Sequence, residues 1–145
     1  MQYILFSVLA GAAMSVQGVM NTGLSEKIGL FESNAFVQGT AFLLSLIVMF
    51  IFGKGSFGNF FETKPVFWLG GVLGILITVF VMLAMKNSSP TIAVSIILIA
   101  QLTVAAVIDA FGLMDTPKVE FHWTKFLGLA LMIGGVILFK IKGTN

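Results

Sequence analysis

Residues 95–112 read SIILIAQLTVAAVIDAFG. Apart from Ser95, Gln101, Thr103 and Asp109, the stretch is made of apolar and small residues. Extended to its natural limits, Pro90 to Leu113, it reaches the roughly 20 mostly apolar residues that a helix needs to cross the hydrocarbon core. Ser89 is placed to cap that helix, and Pro90 suits its first turn. The stretch therefore reads as a membrane span, and Gln101 and Asp109 as residues that do not face lipid.

The rest of the chain repeats the pattern. Of the 145 residues, 58% are hydrophobic and 10% charged, whereas a soluble domain carries about 25% charged residues. Four more spans follow from length and hydropathy, at about 3–24, 34–52, 65–84 and 123–139. Ser33 or Asn34 would cap the second, and Pro65 would open the third. Lys125 falls in the first turn of the fifth and must snorkel. The expected architecture is one all-α transmembrane domain over 1–145 with five helices and short loops. The longest turn-like segment, GKGSFGNFFETK (Gly53 to Lys64), sets Phe57, Phe60 and Phe61 on the interface. Ala10-Gly11-Ala12 mimics a signal-cleavage site, but no basic residue precedes it and apolar character continues to Leu24. An uncleaved first span is expected.

Composition removes several classes of function. With no Cys and one His, neither a thiolate site nor a histidine cluster can form. No metal motif, cofactor motif or catalytic constellation is present, so an enzyme is not expected. The basic residues are all lysines, dispersed between apolar runs, which gives no nucleic-acid patch.

Small residues recur at helical contact spacing: Gly70 and Gly74, then Ser7, Gly11 and Ser15, then Ala130 and Gly134. Such spacing lets helix backbones approach closely, within one subunit or between two. Within the spans the polar side chains are Gln17, Asn21, Gln38, Gln101 and Asp109. Gln17 and Asn21 share a helix face. Asp109 lies about 12 Å along the axis from Gln101, turned by roughly 80°. One reading lines a midplane cavity with Gln17, Asn21 and Gln101 as substrate-binding groups. The other lets these amides join helices at about 0.6 kcal/mol per contact. For Gln38, near a span end, the helix-joining reading is preferred. Asp109 is a candidate for proton or ion coupling because intramembrane carboxylates mark function, although its interfacial depth also suits a solvated helix-end residue.

Three motifs carry a resemblance: Q-G-V-M-N (Gln17 to Asn21), G-G-V-L-G (Gly70 to Gly74) and A-Q-L-T-V-A-A-V-I-D-A-F-G (Ala100 to Gly112). With them the chain resembles the YdcZ-like family of inner-membrane exporters, a five-helix branch of the drug/metabolite transporter superfamily. The resemblance implies export of a small metabolite or drug-like molecule. It also suggests distant kinship with the small multidrug resistance transporters, whose first-span glutamate is missing here. Five helices are too few to enclose a gated pathway, so an oligomer is expected. A passive channel or a non-transporting membrane subunit would be built from the same parts.

Lysines decide the expected orientation. The N-terminal side would hold Lys54, Lys64, Lys118 and Lys125, and the opposite side Lys27, Lys86, Lys140 and Lys142. The balance leaves no positive-inside signal. Dual topology and an antiparallel homodimer follow as an expectation, rebuilding a ten-helix inverted repeat from two copies. A parallel dimer, or a heterodimer with a related chain of opposite bias, is the alternative. Tyr3, Trp68 and Trp123 each begin a span on the N-terminal side, so an antiparallel pair would anchor both leaflets.

Overall fold

The structure, a computed structural model, describes residues 1–120 and 122–142. The side chain of Lys142, counted above, lies outside the described residues. The chain is 87% helical and forms no strand among those residues. Backbone polar groups are therefore satisfied within their own helices, as hydrocarbon demands. Five segments are long and apolar enough to cross a membrane: Gln2–Ile28, Leu30–Phe52, Pro65–Lys86, Pro90–Phe111 and Trp123–Ile141. The helices are α1 (Gln2–Ile28), α2 (Leu30–Phe52), α3 (Gly70–Lys86), α4 (Pro90–Phe111) and α5 (Trp123–Lys142). A 3₁₀ turn, Pro65–Leu69, leads into α3. The chain divides into two compact units, Met1–Asn87 and the part from Ser88 onward.

In the first unit α1 packs on both α2 and α3, which also touch each other. The sequence suggested a loop of several residues between the first two spans, capped by Ser33 or Asn34. A single residue, Gly29, makes the turn instead. Its φ of 102° lies in the region that only glycine enters cheaply. Its N–H donates to the Ser25 carbonyl at 3.0 Å, closing α1, and its carbonyl accepts from the Ser33 N–H at 3.1 Å, opening α2. Ser25, Ser33 and Asn34 look like turn and cap residues, yet all three are buried inside the hairpin.

The buried centre of this unit is small and polar. Gly18, Asn21, Thr22 and Ser25 of α1 meet Ser33 and Asn34 of α2 and Met82 and Met85 of α3 as its buried residues. Thr22 and Ser25 donate back to the carbonyls of Gly18 and Thr22, both at 2.7 Å. Ser33 instead reaches across, its hydroxyl donating to the Asn21 carbonyl at 3.3 Å. Large apolar side chains point outward, which is the expected arrangement where the solvent is lipid. Association then depends on close backbone approach and interhelical hydrogen bonds rather than on apolar burial.

After α2 the chain forms a 3₁₀ turn, Phe57–Glu62. Phe60 stacks on Trp68 with ring centroids 4.8 Å apart, and Phe61 meets Trp68 edge-on at 6.1 Å. The Trp68 indole N–H donates to Thr63 Oγ1 at 2.9 Å. Apolar rings with one polar handle suit the headgroup region, the place expected for Phe57, Phe60 and Phe61.

The second unit is the α4–α5 hairpin. Ser89 caps α4, its hydroxyl accepting from the Ile92 N–H at 3.4 Å, with Pro90 at the first position. Gly112 ends α4 in the left-handed conformation, its N–H on the Ile108 carbonyl. The Val119 N–H then returns to the Asp109 carbonyl at 2.9 Å. The connection is thereby folded back against the end of α4.

Candidate functional site

Asp109 lies in the last turn of α4 and Lys125 in the first turn of α5. α4 and α5 are consecutive spans packed against each other, so they cross the membrane in opposite senses. Both charges therefore stand at the same end of the hairpin, and both line one cavity of about 730 Å³ between the helices. Its other walls include Leu102, Ala106, Phe126 and Met132. Leu102 precedes Asp109 by seven residues and Met132 follows Lys125 by seven. The walls thus extend about 10 Å along the helices beyond the charges. The volume falls within the roughly 300–1,000 Å³ usual for small-molecule sites. Asp109 and Lys125 are each only partly exposed.

Gln101 is exposed on α4. It sits one position before Leu102, about 100° around the helix. In the first unit Gln17 is likewise exposed, whereas Asn21, one turn along, is 8% exposed. The shared face read from the i, i+4 spacing thus holds one outward amide and one sealed by the α1–α2 hairpin. Gln38 joins helices: its Nε2 donates to Thr78 Oγ1 at 3.2 Å, and that hydroxyl donates to the Gly74 carbonyl at 2.9 Å.

Of the four glycines picked out for packing, a Cβ on Gly74 would make ordinary contact with Gln38 Nε2 at 3.7 Å, while one on Gly11, Gly70 or Gly134 would meet nothing within 4 Å. The close approach is made at Gly18, where a Cβ would lie 2.6 Å from Met85 Cε and 3.1 Å from Val81 Cγ1.

Three residues important here escaped the sequence reading. Gly18 sits inside the quoted Q-G-V-M-N motif, but spacing cannot say which side of a helix has a neighbour. Lys125 was read as a snorkelling lysine; its place opposite Asp109 depends on the hairpin. Asn34 was read as a cap, and its Oδ1 is buried with no hydrogen-bond partner among the described residues. Among those residues no three His, Asp or Glu side chains gather where they could hold a metal.

A protein-family model described as "Putative inner membrane exporter, YdcZ" matches residues 2–138. No curated protein and no solved structure matches the chain.

Proposed function

The chain belongs to the YdcZ family of inner-membrane exporters, and from that membership we propose that it expels a small metabolite or drug-like solute as a secondary transporter working by alternating access. Membership and five apolar helices make it a multi-pass inner-membrane protein, and they point to a transporter rather than an enzyme.

The observation that carries the finer reading is the exposure of two amides, Gln17 on α1 and Gln101 on α4, within otherwise apolar spans. An amide facing hydrocarbon without a partner costs several kcal/mol. A second copy of the chain, or a water-filled path between two copies, removes that cost. The even distribution of lysines favours an antiparallel pair, so that two five-helix chains reproduce an inverted-repeat transporter. In this assembly Gln17 and Gln101 contact the solute, and Asn21 becomes reachable when the α1–α2 hairpin opens. Asp109 couples solute movement to a proton or ion.

The test is flux in liposomes across a panel of small metabolites. Saturable flux is expected, lost in Gln17→Leu and Gln101→Leu variants that remain folded dimers. Steady conductance without saturation would mean a channel. Unfolding of both variants would reduce the amides to helix joints.

A further inference from the structure

The hairpin of α1 and α2 seals a group of oxygens whose own protons are already committed. Asn34 is 7% exposed, and its Oδ1 is buried with no hydrogen-bond partner among the described residues. Thr22, Ser25 and Ser33 belong to the same buried centre. Each spends its one hydroxyl proton on a backbone carbonyl, that of Gly18, Thr22 and Asn21 in turn. Each hydroxyl oxygen keeps lone pairs and has no proton left to give. Asn21, Thr22 and Ser25 share one face of α1 by their spacing of three and four. The Ser33 bond seats the start of α2 on that face. All of these residues lie within the unit Met1–Asn87.

A sealed acceptor without a donor costs its full desolvation, so the Asn34 oxygen needs an occupant small enough to be enclosed. Two helices end at this centre: α1 at Ile28, three residues past Ser25, and α3 at Lys86, one past Met85. Against them stands the single N-terminus of α2. The free carbonyls of helix C-termini carry partial negative charge and favour a cation. A water molecule could donate to two of the oxygens, but it would gain nothing from those helix ends. Among the described residues no buried side chain is charged, so a divalent ion would keep too much charge uncompensated. Neutral oxygens are the ligands that replace the water around a monovalent ion. We infer that the α1–α2 hairpin encloses a dehydrated sodium ion. Asn34 Oδ1 is its anchoring ligand, and the hydroxyl oxygens of Thr22, Ser25 and Ser33 supply further ones. The ion fastens α2 to α1, so the assignment holds whatever solute the chain carries.

The test is thermal unfolding of the purified full-length protein in one detergent, with sodium chloride exchanged for choline chloride at constant ionic strength. Choline is too large to be enclosed in the hairpin. An ion that binds only the folded state raises the unfolding temperature with its concentration. A saturable rise of about 3 °C or more is expected by about 200 mM sodium. Asn34→Leu removes the oxygen and fills its place, and should lose the sodium response. Asn34→Asp puts a charge where the oxygen stood. It should melt below wild type in choline and respond to sodium with a half-saturation at least about tenfold lower. The two variants are read separately, so a folding failure of one leaves the other decisive. Equal melting of the wild type in sodium and choline would overturn the assignment and leave water as the occupant. So would a sodium response that survives in Asn34→Leu, or an Asn34→Asp chain indifferent to sodium.

Discussion

At Gly18 of α1 the side chains of Val81 and Met85 of α3 press close, and enlarging the glycine should show what that contact is worth. A β-carbon added there would stand 2.6 Å from Met85 Cε, 3.0 Å from Met85 Sδ and 3.1 Å from Val81 Cγ1. The methionine end can swing aside; the branched valine, in mid-helix, has little freedom. For Gly18→Ala, overpacking costs about 1–3 kcal/mol. The better helix propensity of alanine returns about 1 kcal/mol. The net loss should be about 0–2 kcal/mol. Gly18→Leu adds three more carbons against a Met85 that is only 6% exposed, and should cost more than the alanine variant, about 3 kcal/mol or above. The control is Gly11→Leu on the same helix, where nothing lies within 4 Å; it should be neutral or mildly stabilising. The assay is thermal unfolding of purified protein in one detergent, with Gly18→Leu/Met85→Ala completing a double-mutant cycle. Truncating Met85 opens space beside the new side chain, so the pair should be less damaging than the sum of its parts by at least about 1 kcal/mol. Equal stability of Gly18→Leu and wild type, or equal damage at Gly11 and Gly18, would refute the assignment of Gly18 as the contact.

Other substitutions probe separate joints. Gly29→Ala forces a β-carbon onto a φ of 102° and ψ of 157°, a region essentially reserved for glycine, and should cost about 1–3 kcal/mol, read as a lower unfolding temperature. Gln38→Leu breaks the amide bridge to Thr78 but should cost only about 0.6 kcal/mol, and Thr78→Val should add little to it. In flux assays Asp109→Asn should slow transport and, if the driving ion is the proton, flatten its dependence on an imposed pH gradient; unchanged flux would leave Asp109 a helix-end residue. A single Cys at Asn87, in a chain that has none of its own, should react with an impermeant thiol reagent in about half the molecules if insertion is dual. Labelling of nearly all or nearly none would exclude it.

Much of the fold was readable because lipid enforces simple rules. A run such as Ser95 to Gly112 can only be a helix when its backbone has no water to bond, and Ser89-Pro90 marks the start of α4 by ordinary capping chemistry. The Gly29 turn was not readable. Ser25, Ser33 and Asn34 have the local preferences of loop residues, and only the partner helix shows that their small size is used for close packing instead. The site divides in the same way. Asp109 is conspicuous as a carboxylate in an apolar run. Lys125 gains meaning only when the hairpin brings α5 alongside α4. Gln17 and Asn21 share a spacing yet differ in exposure, because α2 covers one and not the other.

The distribution of buried residues in the first unit has a mechanical consequence. They gather at the hairpin end, between Gly18 and Asn34, with Met82 and Met85 of α3 beside them. From Met1 to Met14 every residue of α1 is exposed, and nearly all of α2 beyond Ala41 is too. The three helices are thus clamped at one end and free of buried residues toward the other, like the legs of a pair of dividers. From Gly18 to Gln2 the lever arm is about 24 Å. A tilt of about 10° at the clamp carries the far tip through about 4 Å. The polar joint need not break for that travel, because no buried side chain lies along the moving part of α1.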